Sequence, residues 1–136
     1  MESTPIIDVD PFDLPDWLGV GQVVWHADQG LRTGHLVAGR LVSGDDVLAC
    51  DLLAVDEAYP APVTDDESRH RAHRAWRHGQ VLVGQYADRL ILAVPGTRFD
   101  AERVLDSLSR LARAVGGSPE HMAALLRIGS DRTDRR

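Results

Sequence analysis

The order of apolar and polar positions predicts three strands at the start of the chain, followed by helices and two further strands. Residues 21–29, "GQVVWHADQ", are rich in β-forming residues and bounded by glycine, which is typical of a strand. Two apolar runs around "SGDD" within residues 35–59 predict a hairpin, because this cluster favours a tight turn. Both alternating faces of the second run are apolar, so we expect a central strand that is covered on both sides.

A helix is predicted over residues 64–78. Thr64 and Glu67 have the spacing of a capping box, acidic residues stand at the start, and basic residues stand at the end. Gly79 suits the left-handed position that ends a helix. The predicted apolar face of this helix is narrow and consists of Ala72, Ala75 and Trp76.

The remaining pattern predicts a second hairpin and two more helices. "QVLVGQY" and "RLILAV" form the hairpin, and Asp100 caps a helix over residues 101–115. Ser118 and Pro119 begin a further helix over 119–128. We therefore predict an α+β fold in the order βββ-α-ββ-α-α, with helices on a five-stranded, mostly antiparallel sheet.

The chain divides into three predicted regions. Residues 1–20 form an acidic, proline-containing arm, residues 21–129 form one α+β domain, and residues 130–136 form a disordered tail. No apolar run reaches the roughly 20 residues that span a bilayer, and no secretory signal pattern is present. A single cysteine is compatible with a reducing compartment, so we expect a cytoplasmic protein that does not act at a membrane.

Charge is unevenly distributed along the chain, whose net charge is −6. Residues 1–67 contain fourteen acids and two arginines, whereas residues 68–136 contain thirteen arginines and seven acids. Every cationic side chain other than histidine is arginine, and asparagine is also absent, which indicates a GC-rich coding sequence. The number of arginines is therefore weak evidence for phosphate binding.

The stretch "SRHRAHRAWRHG", residues 68–79, could be a metal site, a nucleic-acid contact or the basic end of a helix. Only His70 and His73 share a face, and no metal-binding spacing links them to another ligand, so we predict no metal. The acidic net charge argues against nucleic acid. We predict a partner-binding helix surface made of Arg69, His70, His73, Arg74 and Arg77.

The arm contains a second candidate, Trp17 and Leu18, within the acidic segment "DVDPFDLPDWLG". These two side chains either fasten the arm to the protein's own core or insert into another protein. Both alternatives remain open from the sequence, and Trp17 and Leu18 are included among the predicted partner-binding residues.

Candidate catalytic residues are few, and none is assigned. Cys50 lies in an apolar strand, where its thiol should be unreactive. Asp51 is the best candidate for a perturbed acid, with His26 or His35 as an expected neighbour in an enzyme. The structural alternative is a cross-strand ion pair between Asp51 and Arg40.

Phrases such as "LLAVDEAYP", "AWRHGQ", "VPGTRFD" and "LARAVGGSP" resemble those of small proteins from GC-rich actinobacteria. The element order over residues 21–115 also resembles the type III secretion chaperone-like fold, although the first long helix of that fold is replaced here by the arm. This resemblance implies dimerisation and the binding of an extended peptide, without catalysis.

The sequence therefore predicts a non-enzymatic, cofactor-free domain with an adaptor or chaperone-like role. Its expected partner is another protein or a second copy of this chain. Two alternatives remain: a small enzyme that uses Asp51 with a nearby histidine, and a regulator associated with nucleic acid.

Overall fold

The computed structural model describes residues 7–28, 35–56 and 66–126, which form a mixed α+β fold. The class agrees with the prediction, but the sheet contains eight strands within these ranges where five were expected. The strands are β1 Ile7–Asp8, β2 Val23–Ala27, β3 Leu36–Val37, β4 Gly39–Ser43, β5 Asp46–Val55, β6 Leu82–Tyr86, β7 Arg89–Pro95 and β8 Met122–Leu125. The two α-helices described are α1 Asp66–Arg77 and α2 Ala101–Ala114, and the short 3-10 turns are Pro11–Asp13, Asp16–Gly19 and Pro119–His121.

The sheet is mostly antiparallel, as predicted, and its strand order is β1-β6-β7-β5-β4-β2-β8, with β3 paired to β5. Only two of the described pairings, β5 with β7 and β2 with β8, are parallel. Both predicted hairpins are confirmed, β4 with β5 and β6 with β7. Gly44 and Ala87 have positive φ angles of 61° and 54° in their turns, the backbone conformation that tight hairpins require.

The predicted helix over 119–128 is wrong. Pro119–His121 form one 3-10 turn, and the chain then continues as β8, parallel to β2. Met122 is buried and Ala124 packs on the core, so the segment covers apolar side chains while satisfying its backbone against β2. Packing therefore overrides the helix preference of "MAALL".

The arm is joined to the sheet. β1 pairs with the edge of β6, and the Val9 N–H donates to the Val83 carbonyl. The two 3-10 turns then lead to β2. The predicted tail, 130–136, lies outside the described residues.

The helices pack on two separate apolar clusters. The larger cluster includes Leu108 and Leu111 of α2 together with Trp25 of β2. A smaller cluster joins Ala72 of α1 to side chains of β5 and β7, namely Leu53, Val55, Ile91 and Ala93. The last six residues of β5 are buried, which confirms the expectation of a central strand.

The predicted helix over 64–78 is confirmed as α1. Gly79 follows it with a φ of 80°, as expected for the residue that ends a helix. Thr64, half of the predicted capping box, lies outside the described residues. No helix in the described ranges is long and apolar enough to cross a membrane.

Candidate functional site

Four of the predicted partner-binding residues share the outer face of α1. His70, His73, Arg74 and Arg77 are all exposed and lie three or four positions apart, which places them in one row along the helix. We call these four residues the α1 stripe. Ala72 is buried on the opposite face, and it fixes which side of α1 meets solvent.

The other arginines of α1 are engaged within the protein. Arg69 pairs with Asp66 one turn earlier, and its side chain is only 17% exposed. Arg71 reaches across to the arm and pairs with Asp8 of β1. Arg69 therefore lies apart from the α1 stripe, although the sequence grouped it with the four stripe residues.

Trp76 is partly buried and packs on the core. The Arg110 guanidinium of α2 lies 3.4 Å from the centre of its ring, a cation–π contact. Arg110 also donates to the carbonyls of Trp76, in the last turn of α1, at 2.6 Å, and of Gln80, in the turn after α1, at 3.2 Å. Since Arg110 covers this face of the ring, the face is not available for stacking a nucleic-acid base.

The histidines do not form part of a metal cluster in the described ranges. Residues 7–28, 35–56 and 66–126 contain no group of three or more His, Cys, Asp or Glu side chains placed to hold a metal ion. His70 and His73 point outward from α1 and are exposed. Their placement agrees with a surface helix.

The two candidate residues of the arm are turned inward. Leu18 is 1% exposed and belongs to the main apolar cluster, and Trp17 packs against the same cluster. In this arrangement they fasten the arm to the protein's own core. The structure thus favours that alternative over insertion of Trp17 and Leu18 into a partner.

Asp51 has a different partner from the one predicted. Its carboxylate accepts two hydrogen bonds from Arg89, one from Nε and one from Nη2, each 2.8 Å long. The Tyr86 hydroxyl donates a third at 3.2 Å. The predicted pair with Arg40 is wrong, because Arg40 pairs with Asp28 instead. The cause is the parallel pairing of β5 with β7, which the sequence did not indicate.

The ion pair between Asp51 and Arg89 lies next to the break between strands β3 and β4. The Gly39 N–H donates to Asp51 at 3.2 Å, and the Gly39 carbonyl accepts from Arg89 at 3.0 Å. The Trp25 indole N–H donates to the Cys50 carbonyl at 2.9 Å. Side chains therefore satisfy backbone groups near the break in the ladder, which is a structural role for Asp51.

Two pKa shifts agree with this structural role. The hydrogen bonds that Arg89 donates to Asp51 raise the pKa of Arg89, with the negative charge of Asp51 as a further cause. Burial, and then the charge of Asp51, raise the pKa of the Cys50 thiol well above its ordinary value. A thiol held protonated in this way is a poor nucleophile.

A groove beside the arm has no counterpart in the sequence predictions. It has a volume of about 610 Å³ and lies between the arm, the turn after α1, and α2. Val81 and Val83 form part of its lining, the arm contributes Pro11, and α2 contributes Arg113. We call it the arm groove. It depends on the pairing of β1 with β6, which only the tertiary structure reveals.

Comparison with known proteins adds no assignment: no family model, curated protein or solved structure matches the chain. The resemblances to actinobacterial proteins and to the secretion chaperone-like fold stay predictions.

Proposed function

We propose that this chain is a non-catalytic protein-binding domain that uses the α1 stripe to hold an acidic surface of another protein. The observation that carries the proposal is the row of exposed His70, His73, Arg74 and Arg77 on one helix face. Within the described ranges, neither Arg74 nor Arg77 forms an ion pair, whereas Arg69 and Arg71 both do. The stripe therefore offers charges that the rest of the described chain leaves available.

The chemistry of the stripe favours a protein partner. Arginine is enriched at protein interfaces, and its planar guanidinium binds carboxylates through two parallel hydrogen bonds. The net charge of −6 would repel the continuous phosphate backbone of a nucleic acid, whereas a local acidic patch needs only the stripe. An adaptor or chaperone-like role agrees with this mode of binding.

Two observations weigh against the enzyme alternative. Asp51 is 2% exposed, and its carboxylate is occupied by Arg89, Tyr86 and the Gly39 N–H. An acid with these contacts supports the fold and is poorly placed to reach a substrate.

The first prediction concerns charge reversal on the stripe. Arg74→Glu combined with Arg77→Glu should lower affinity for the partner at least about tenfold, because attraction becomes repulsion. Stability should fall by about 1–2 kcal/mol, because two acidic residues then replace basic ones at the negative end of the α1 dipole, so affinities are compared only between proteins shown to be folded. Quantitative affinity purification from the source cells, followed by titration of the identified partner at several salt concentrations, measures both the loss and its electrostatic origin.

The matched control is Arg98→Glu, compared with the single variant Arg77→Glu. Arg98 is exposed and lies in the loop between β7 and α2, so the change in net charge is the same at a different place. The proposal requires that Arg98→Glu retain the partner. Equal capture of the same proteins by the wild type and by the Arg74→Glu, Arg77→Glu variant would refute the stripe as the binding surface, and preferential capture of nucleic acid would refute the protein partner.

A further inference from the structure

Phe12 is a large aromatic side chain held in an exposed position. It is 82% exposed, the highest value among the large apolar side chains of the described residues. Its backbone is fixed, because its N–H donates to Asp10 at 3.0 Å and the Leu14 N–H donates to the Pro11 carbonyl at 3.1 Å. Phe12 therefore stands outward from an ordered 3-10 turn.

The arm groove lies directly beside Phe12. Its lining includes Val81, Val83 of β6 and Ala114 of α2, all apolar. Phe12 also borders the groove, but its high exposure means that it does not fill the space. On its other side, Phe12 borders a second concavity of about 360 Å³ together with Val20, which is 78% exposed.

Charged side chains of both signs flank Phe12 and the arm groove, and we call Phe12, the groove and these charges the arm patch. Asp13 follows Phe12 in the 3-10 turn and is exposed, while Arg113 lines the groove from α2 and is also exposed. Neither side chain forms an ion pair with any residue in the described ranges. One surface thus carries a protruding aromatic, an unfilled apolar groove, and an acid and an arginine that the described part of the chain leaves unpaired.

A surface that carries both a protrusion and its matching recess can bind a copy of itself. Two-fold symmetric dimers use the same patch on both subunits, so that each contact occurs twice. We propose that two copies of this chain associate through the arm patch, each placing Phe12 in the arm groove of the other and pairing its Asp13 with the other copy's Arg113. This surface is distinct from the α1 stripe and does not depend on the function proposed for the stripe.

Removing the aromatic protrusion tests the proposal. Sedimentation equilibrium of the full chain should give a dimer for the wild type in the micromolar range, and Phe12→Asp should weaken dimerisation at least about tenfold. Circular dichroism should remain unchanged because Phe12 is exposed. Val47→Asp is the matched control: Val47 is 59% exposed on β5 and does not line the arm groove, so this change should leave the dimer intact.

A reciprocal charge exchange tests the pairing itself. Arg113→Asp alone and Asp13→Arg alone should each weaken dimerisation, since like charges then meet twice in the symmetric dimer. A mixture of the two variants should recover it, because both contacts of the mixed dimer again join opposite charges. A monomeric wild type, an unchanged dissociation constant in Phe12→Asp, or no recovery in the mixture would each overturn the proposal. Arg74→Glu with Arg77→Glu should still dimerise, which separates this result from a failure of the stripe.

Discussion

At the scale of single residues, Asp51 is held in place by several hydrogen bonds. Its carboxylate accepts from Arg89, Tyr86 and the Gly39 N–H, and it lies deep in the sheet. Gly39 has no room for a larger residue, because an added Cβ would lie 2.5 Å from both the His26 carbonyl oxygen and the Trp25 ring. The close approach of Gly39 to β2 therefore leaves its N–H and carbonyl free to bond with Asp51 of β5 and Arg89 of β7.

Arg89→Ala should destabilise the fold by about 2–4 kcal/mol. It leaves the buried Asp51 carboxylate without its main partner, and the Arg89 side chain is partly exposed, so the loss falls below that of a fully buried pair. Urea denaturation measures the change. Arg98→Ala, at an exposed arginine, should cost less than about 0.5 kcal/mol, and equal losses in the two variants would contradict this account.

At the scale of secondary-structure elements, Arg110 connects the two helices. It extends from α2 over the Trp76 ring and donates to the Trp76 carbonyl at the end of α1 and to the Gln80 carbonyl just after it. Arg71 makes a comparable link from α1 to the arm through Asp8. The position of the α1 stripe thus depends on contacts at both sides of the helix.

Arg110→Ala should lower the free energy of unfolding by about 1–3 kcal/mol, because the Trp76 and Gln80 carbonyls lose a charged donor and the Trp76 ring loses its cation. Arg98→Ala removes an exposed arginine that lies on neither helix, and it again serves as the control, with an expected change below about 0.5 kcal/mol. Chemical denaturation followed by tryptophan fluorescence compares the two variants. The same stability loss in both would show that the contacts of Arg110 contribute little.

At the scale of the whole molecule, one sheet organises the core, and β5 runs through its middle. Cys50 on this strand is completely buried. Burial raises the pKa of its thiol in the folded protein, so the unfolded chain loses this proton at a lower pH than the folded chain does. The thiol's contribution to stability is therefore complete below the unfolded pKa and is lost as the pH rises above it.

The stability difference between the wild type and Cys50→Ala should consequently shrink by about 1 kcal/mol between about pH 8 and about pH 9.5, since an unfolded thiol ionises near about pH 8.5. Urea unfolding of both proteins at the two pH values measures this difference, and comparison with the alanine variant removes the effects of other titrating groups. Parallel pH profiles for the two proteins would contradict the inferred burial of the thiol.

The sequence by itself determined the local elements. Alternating apolar residues identified both hairpins, and the acidic start, basic end and Gly79 identified α1, because these signals arise from neighbours along the chain. The sequence also predicted the four residues of the α1 stripe as part of a helix surface, although it included Arg69 with them, and the structure shows that these four share one exposed face. Only the tertiary structure decided the pairing of β5 with β7, and with it the partner of Asp51. It likewise turned residues 122–125 into a strand and created the arm groove, because both depend on contacts between segments far apart in the chain.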